Sequence, residues 1–103
     1  MITTGLIVRL TAKAGKAEEL AAFLHSALAL VQDEPDTVAW FAVRIGPALF
    51  AIVDAFPDEE GRQAHLDGPV ATALLGKADE LLEVPPQIEY VDVLAAKLPA
   101  ETR

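Results

Sequence analysis

Two apolar segments on either side of Gly46-Pro47-Ala48 constrain the fold of this chain more than any other feature. Residues 37–45 (TVAWFAVRI) and 49–56 (LFAIVDAF) are rich in β-branched and aromatic residues, so they predict the two strands of a β-hairpin. Alternate residues of a strand point to opposite faces of its sheet, and here both faces are apolar. One face carries Phe41, Val43, Ile45, Ala51 and Val53, and the other carries Val38, Trp40, Ala42, Phe50, Ile52 and Phe56. We therefore expect helices to cover one face of the sheet and a second copy of the chain to cover the other, as a homodimer through its sheet faces.

The length of the hairpin loop decides which side chains share a face, because a shift of one residue moves every side chain of one strand to the other face. With a three-residue loop, Trp40 pairs with Asp54 and Arg44 with Phe50. With a two-residue loop, Trp40 and Asp54 point to opposite faces. We favour the three-residue loop.

Hydrophobic periodicity elsewhere in the chain supplies two more strands and two helices. Residues 2–12 and 87–95 predict strands, and residues 16–32 predict an amphipathic helix. Asp58 is placed to cap a second helix, which Gly68-Pro69 interrupts. The resulting order, β-α-β-β-α-β, is the split βαβ pattern of a ferredoxin-like α+β sandwich, with one four-stranded antiparallel sheet and both helices on one face.

Composition excludes several classes of function. The 103 residues suffice for one core, which we place in a single domain over residues 1–96, followed by a C-terminal tail over residues 97–103. A formal net charge of −8 without any cluster of Lys or Arg makes nucleic acid and anionic membranes poor partners. No cysteine is present and the two histidines are His25 and His65, so the chain offers no thiolate or multi-histidine metal site. No signal-peptide pattern and no apolar run of membrane-spanning length occurs, so we expect a cytoplasmic protein.

The element order combines with three short motifs to suggest a family. Asp54-Ala55-Phe56 at a strand end, Ala64-His65-Leu66 on the next helix and the Gly68-Pro69 break resemble the antibiotic biosynthesis monooxygenase (ABM) family of dimeric α+β barrels, in particular its quinol monooxygenase-like members. The resemblance covers nearly the whole chain. It implies a homodimer with a pocket between helices and sheet in each subunit. It also implies cofactor-free oxidation of a small hydroxylated aromatic, of phenol or quinol type, by O₂.

The chain departs from the family pattern at five positions. Asp54 and Phe56 stand where members often have Glu and Trp, and Val70 stands where many have another histidine. Haem-degrading relatives use an asparagine and a histidine ligand at positions that align with Val8 and Leu75, which argues against haem degradation. The family resemblance therefore predicts no cofactor.

His65 and Asp54 are the candidate catalytic residues under this resemblance. His65 has an ordinary pKa near neutrality and is the natural base toward a phenol, while Asp54 can orient its imidazole. Arg62 lies three residues before His65 on the helix, where a cation is expected to lower the histidine pKa and favour the neutral base. Trp40 and Phe56 are expected to line the substrate pocket and Arg44 to offset negative charge.

Other readings of the same residues stay open. His65 can be a structural hydrogen-bonding residue, Asp54 can cap a helix or pair with Arg62, and Trp40 can serve packing alone. At the level of function, the alternatives are a non-catalytic dimeric domain that binds a small hydrophobic ligand, or an isomerase or decarboxylase on the same fold.

Overall fold

The computed structural model describes residues 1–99 and has the element order β-α-β-β-α-α-β. Its strands are β1 (Thr4–Thr11), β2 (Ala39–Arg44), β3 (Leu49–Phe56) and β4 (Gln87–Asp92), and its helices are α1 (Ala17–Val31), α2 (Glu59–Leu66) and α3 (Pro69–Leu81). The predicted α+β class with a four-stranded antiparallel sheet is confirmed. Of the predicted tail over residues 97–103, the last four residues lie outside the described part of the chain.

The sheet has the strand order β2-β3-β1-β4, with every neighbouring pair antiparallel. In the hairpin of β2 and β3, Trp40 lies opposite Asp54 and Arg44 opposite Phe50. The three-residue loop is thereby confirmed, and the backbone N–H of Ile45 closes it with a 2.8 Å hydrogen bond to the carbonyl of Leu49. Trp40 and Asp54 therefore share one face of the sheet.

The predicted break in the second helix separates α2 from α3. Asp58 caps α2, because its Oδ1 accepts a 2.9 Å hydrogen bond from the backbone N–H of Gly61. The chain leaves the helical conformation at Gly68, which is extended, and Pro69 starts α3, where its missing N–H costs no helical hydrogen bond. Gly61 and His65, four residues apart on one face of α2, are its two buried residues. The helix therefore directs His65 toward the sheet.

The helices and one face of the sheet enclose the core. That core includes Leu6, Val8 and Leu10 of β1, Phe50, Ile52 and Phe56 of β3, Leu20 and Leu24 of α1, and Leu74 and Leu81 of α3. Burial of each such side chain stabilises the fold by about 1.5–3 kcal/mol relative to exposure. None of the helices in residues 1–99 is long and apolar enough to cross a membrane.

The opposite face of the sheet is apolar over β2 and β3. Phe41 is 60% exposed, and Val43 and Val53 on the same face are also exposed. The salt bridge between Arg9 of β1 and Glu89 of β4 lies toward the β4 edge of the same face. We call this surface the open face; it is formed by Ile7, Phe41, Val43 and Val53.

Candidate active site around His65

His65 is buried between two carboxylates. The residue is 6% exposed, and its ring lies against Phe56, with 5.4 Å between ring centroids. Its Nδ1 lies 2.5 Å from Oε1 of Glu34, and its Nε2 lies 3.1 Å from Oδ2 of Asp54. Three segments distant in sequence, the α1–β2 loop, β3 and α2, thus meet at one imidazole ring.

The two contacts of the ring differ in kind. The contact with Glu34 is a short hydrogen bond, and the same Oε1 accepts a 2.8 Å hydrogen bond from the hydroxyl of Thr37. The contact with Asp54 is a 3.1 Å ion pair, and the two Asp54 oxygens have no other polar partner among the described residues. Glu34 is therefore held from two sides, while Asp54 keeps hydrogen-bonding capacity.

The pKa of His65 is raised above its usual value by the balance of opposing effects. Burial, the largest of these, lowers the pKa because it disfavours the charged ring. The contacts with Asp54 and Glu34, and the negative charges of both, together outweigh burial. A protonated imidazole donates from both ring nitrogens, which matches a ring that has a carboxylate on each side. The site favours an imidazolium.

The predicted influence of Arg62 on His65 is wrong. Arg62 donates to the backbone carbonyls of Gly5 at 3.2 Å and Val91 at 3.4 Å, and its guanidinium covers the ring of Tyr90. Helical spacing places Arg62 near His65 in sequence, but the side chain turns toward β1 and β4. The predicted lowering of the histidine pKa is accordingly reversed by the two carboxylates.

A cleft of about 560 Å³ lies between α1 and the edge strand β2. Its lining includes Leu24, His25 and Leu28 of α1, Trp40 and Arg44 of β2, and Phe50 of β3. Neither His65 nor Asp54 lines it. Trp40 connects the two regions, because it lines the cleft and pairs with Asp54 across the strands.

The other predicted site residues lie in different surroundings. Arg44 is at the cleft, where it forms a 3.1 Å salt bridge with Glu18 and lies over the ring of Phe50. Phe56 is fully buried beneath His65 and does not line the cleft. The structure thus joins His65 to Asp54 and Phe56, and Trp40 to Arg44, while Arg62 lies with the β1–β4 edge.

A polar pair on the helix-covered face lacks hydrogen-bond partners. Among residues 1–99, four buried side-chain atoms lack a hydrogen bond: Nε1 of Trp40, Oε2 of Glu34 and both oxygens of Asp54, of which Oδ2 is in the ion pair with His65. Directly opposite residues on antiparallel strands have Cβ atoms about 4.5–5.5 Å apart, so the two side chains leave the sheet from neighbouring positions. A buried polar group without a hydrogen bond carries a desolvation cost, so both side chains retain hydrogen-bonding capacity.

Glu34 was not predicted from the sequence. It lies in the loop after α1, immediately before Pro35, where neither helical nor strand periodicity indicates the direction of a side chain. The proline signals only that the helix ends. Within residues 1–99, no group of three or more His, Cys, Asp or Glu side chains is arranged to hold a metal ion.

Solved structures extend these observations. The chain has the fold of two candidate antibiotic biosynthesis monooxygenases. One, from Caulobacter crescentus CB15, is 18% identical, with a TM-score of 0.78 over 91% of this chain and 92% of that chain. The other, from Nitrosomonas europaea, is 15% identical, with a TM-score of 0.80 over 89% and 90%. The resemblance to the ABM fold expected from the sequence is confirmed.

A further structure is much more similar in sequence. The NE2512 protein of Nitrosomonas europaea, of unknown function, is 54% identical over 98% of both chains, with a TM-score of 0.96. The chain belongs to the same family as that protein. No protein-family model matches the chain, and no curated protein sequence matches it.

Proposed function

We propose that the chain is a cofactor-independent monooxygenase that oxidises a small phenol- or quinol-type aromatic with O₂ and acts as a homodimer. The fold shared with candidate antibiotic biosynthesis monooxygenases supports this class. The observation that carries the proposal is the unpartnered pair of Trp40 Nε1 and Asp54, beside a cleft with an aromatic lining.

A hydroxyl group matches that pair chemically. It both donates and accepts, whereas an indole N–H only donates and a carboxylate only accepts. A phenolic O–H can therefore accept from Trp40 and donate to Asp54. The Asp54 side chain is fully buried and does not line the cleft, so the proposal requires the Trp40 side chain, which does line it, to shift enough to admit the hydroxyl between the two groups.

Asp54 is the proposed proton acceptor, and His65 its positioning residue. Both nitrogens of His65 face carboxylates, so an imidazolium in this place has no lone pair for a substrate. Its positive charge instead stabilises the phenolate that forms when Asp54 accepts the phenolic proton. The role of base toward the phenol, which the sequence suggested for His65, is therefore assigned to Asp54.

The reaction balances without a cofactor. For a phenol with a free para position, the para carbon loses its hydrogen and becomes a C=O. One oxygen atom of O₂ enters that carbonyl, and the other leaves as water with the hydrogens of the C–H and O–H bonds. All electrons come from the substrate. The protein has to favour the phenolate and shield it from water.

The open face supports the proposed homodimer. Phe41, Val43 and Val53 together form an apolar surface on a single sheet face, and exposed patches of this kind commonly mark protein contacts. Phe41 and Val43 also belong to β2, the strand that borders the cleft. A second copy packed on the open face covers that strand from behind.

Oxygen uptake by purified, metal-free protein with a panel of hydroquinones and polycyclic phenols tests the activity. We expect uptake above the autoxidation background, and a loss of about 10²–10⁴-fold in kcat/KM in Asp54→Asn. Asp92→Asn is the matched control, since Asp92 is exposed on β4 at the opposite edge of the sheet. Equal rates in wild type and Asp54→Asn would refute the assigned role.

The second candidate function is a non-catalytic domain that binds a small hydrophobic ligand. The absence of His65 and Asp54 from the lining of the cleft favours it. Trp40 is the single tryptophan of the sequence, so its fluorescence reports binding directly. Saturable change in that emission, combined with no oxygen uptake and no turnover for any ligand, would establish binding alone. Conversion of a ligand without oxygen uptake would indicate an isomerase or decarboxylase.

A further inference from the structure

We infer that Glu34 is a positioning residue that holds His65 as an imidazolium against Asp54. The catalytic consequence of this inference rests on the proposed function, whereas the linkage between Glu34 and His65 does not. Glu34 touches no part of the cleft, so it acts through the histidine.

The carboxylate of Glu34 is placed as part of a buried site. Its side chain is 13% exposed although it belongs to a loop, and burial of a carboxylate is costly unless hydrogen bonds compensate. Oε1 receives the Thr37 hydroxyl and faces Nδ1 of His65. The backbone N–H of Glu34 also donates 2.9 Å to the carbonyl of Val31 at the end of α1. The loop is therefore folded around this side chain.

Gly68 makes room for the other oxygen of Glu34. A Cβ atom at Gly68 would lie 3.1 Å from Oε2 of Glu34 and 3.1 Å from the carbonyl of Ala64, which is tighter than ordinary contact. The N–H of Gly68 donates 3.0 Å to the carbonyl of His65. The break between α2 and α3 thus admits the Glu34 carboxylate next to the residue that it contacts.

The protonation state of His65 sets the net charge of the buried cluster that it forms with Glu34 and Asp54. Two carboxylates around a neutral imidazole would place two negative charges in a buried space, whereas an imidazolium reduces the sum to one. Removal of the Glu34 charge leaves Asp54 as the single anion in contact with the ring. His65 then loses its proton more readily, and Asp54 loses the cation with which it is paired.

The other charged groups near His65 have different contacts. On α2, Arg62 binds backbone carbonyls and Glu59, and Asp67 receives the side-chain amide of Gln63. The apolar cluster that packs against Trp40 from α1 and α3 consists of Ala27, Val31 and Val70. Glu34 from the loop and Asp54 from β3 are therefore the groups in salt-bridge contact with the ring in the described residues.

The test follows His65 by NMR titration in wild type and in Glu34→Gln, which keeps the hydrogen-bonding shape without the charge. We expect the titration midpoint of His65 to fall, while that of His25, an exposed internal reference, stays in place. The alkaline limb of the kcat/KM profile is expected to move in the same direction, with about a tenfold loss of rate for each pH unit moved. An unchanged His65 midpoint in Glu34→Gln would overturn the inference.

Glu34→Asp supplies a second variant if Glu34→Gln does not fold. It keeps the charge but withdraws it by one methylene, so we expect a lower His65 midpoint than in wild type, with His25 again unchanged. A midpoint equal to that of wild type would count against the inference. A fall in the midpoint together with no oxygen uptake would remove the proposed function and leave the Glu34–His65 linkage supported. Oxygen uptake together with an unchanged His65 midpoint would support the proposed function and refute the Glu34–His65 linkage.

Discussion

Replacement of His65 by glutamine is expected to destabilise the fold in a strongly pH-dependent way. The raised pKa means that the folded protein binds the histidine proton more tightly than the unfolded chain. This contribution is fully present below the unfolded value of about 6.5 and is lost as the pH rises through the raised folded value. His65→Gln lacks it at every pH. The stability gap is therefore largest near pH 6 and narrows toward alkaline pH.

The size of the effect follows from burial. Loss of one partner from a buried charge pair typically costs about 3–5 kcal/mol, and His65→Gln leaves the Glu34 and Asp54 carboxylates without their cation. With an m value of about 1.5 kcal/mol per M of urea, the unfolding midpoint near pH 6 falls by about 2–3 M. His25→Gln, at an exposed position, is expected to change stability by less than about 0.5 kcal/mol. If the difference in unfolding free energy between wild type and His65→Gln stays constant from about pH 6 to about pH 9, the charged state of His65 is refuted.

Three more predictions concern the scaffold. Gly5→Ala is expected to lower the free energy of unfolding in urea by about 1–3 kcal/mol, because its Cβ would lie 2.6 Å from the backbone oxygen of Asp54. The control Gly46→Ala, whose Cβ would have nothing within 4 Å, is expected to be neutral. Equal stabilities of the two variants would contradict the close packing of β1 on β3. Asp58→Ala is expected to lose about 1 kcal/mol, since it removes the cap of α2, and an unchanged midpoint would show that the cap contributes nothing. Phe41→Glu places a charge in the open face and is expected to prevent dimer formation. Light scattering after size exclusion is expected to show a dimer for wild type and a monomer for the variant. A monomeric wild type at micromolar concentration would contradict the proposed homodimer.

Much of the scaffold follows from local sequence signals. The period-2 pattern of the hairpin and its Gly-Pro turn predicted both strands and favoured, without deciding it, the register that pairs Trp40 with Asp54. Gly68-Pro69 marked the helix break because proline suits the first turn of a helix and not its interior. The last strand was predicted over residues 87–95 and ends at Asp92, since strand ends are set by pairing with β1 rather than by propensity.

The electrostatic partners of the site did not follow from the sequence. His65 and Asp54 stood out as polar residues beside apolar elements, and the structure brings them together. Glu34 reaches His65 from 31 positions away through a loop, where its carboxylate is held by Thr37 of the same loop and lies against Gly68 at the helix break. Sequence spacing suggested Arg62 instead, because spacing gives the neighbours of a residue on its own helix and not the direction of a long side chain.

Incorporation of isotope from ¹⁸O₂ tests the proposed oxygenation most directly. Purified protein and a phenol that supports oxygen uptake are incubated under labelled gas, and the mass of the product is measured. We expect one labelled oxygen atom in each product molecule, and a loss of labelled product in Asp54→Asn but not in Asp92→Asn. Product formed without label, or labelled product formed equally by Asp54→Asn, would contradict this expectation.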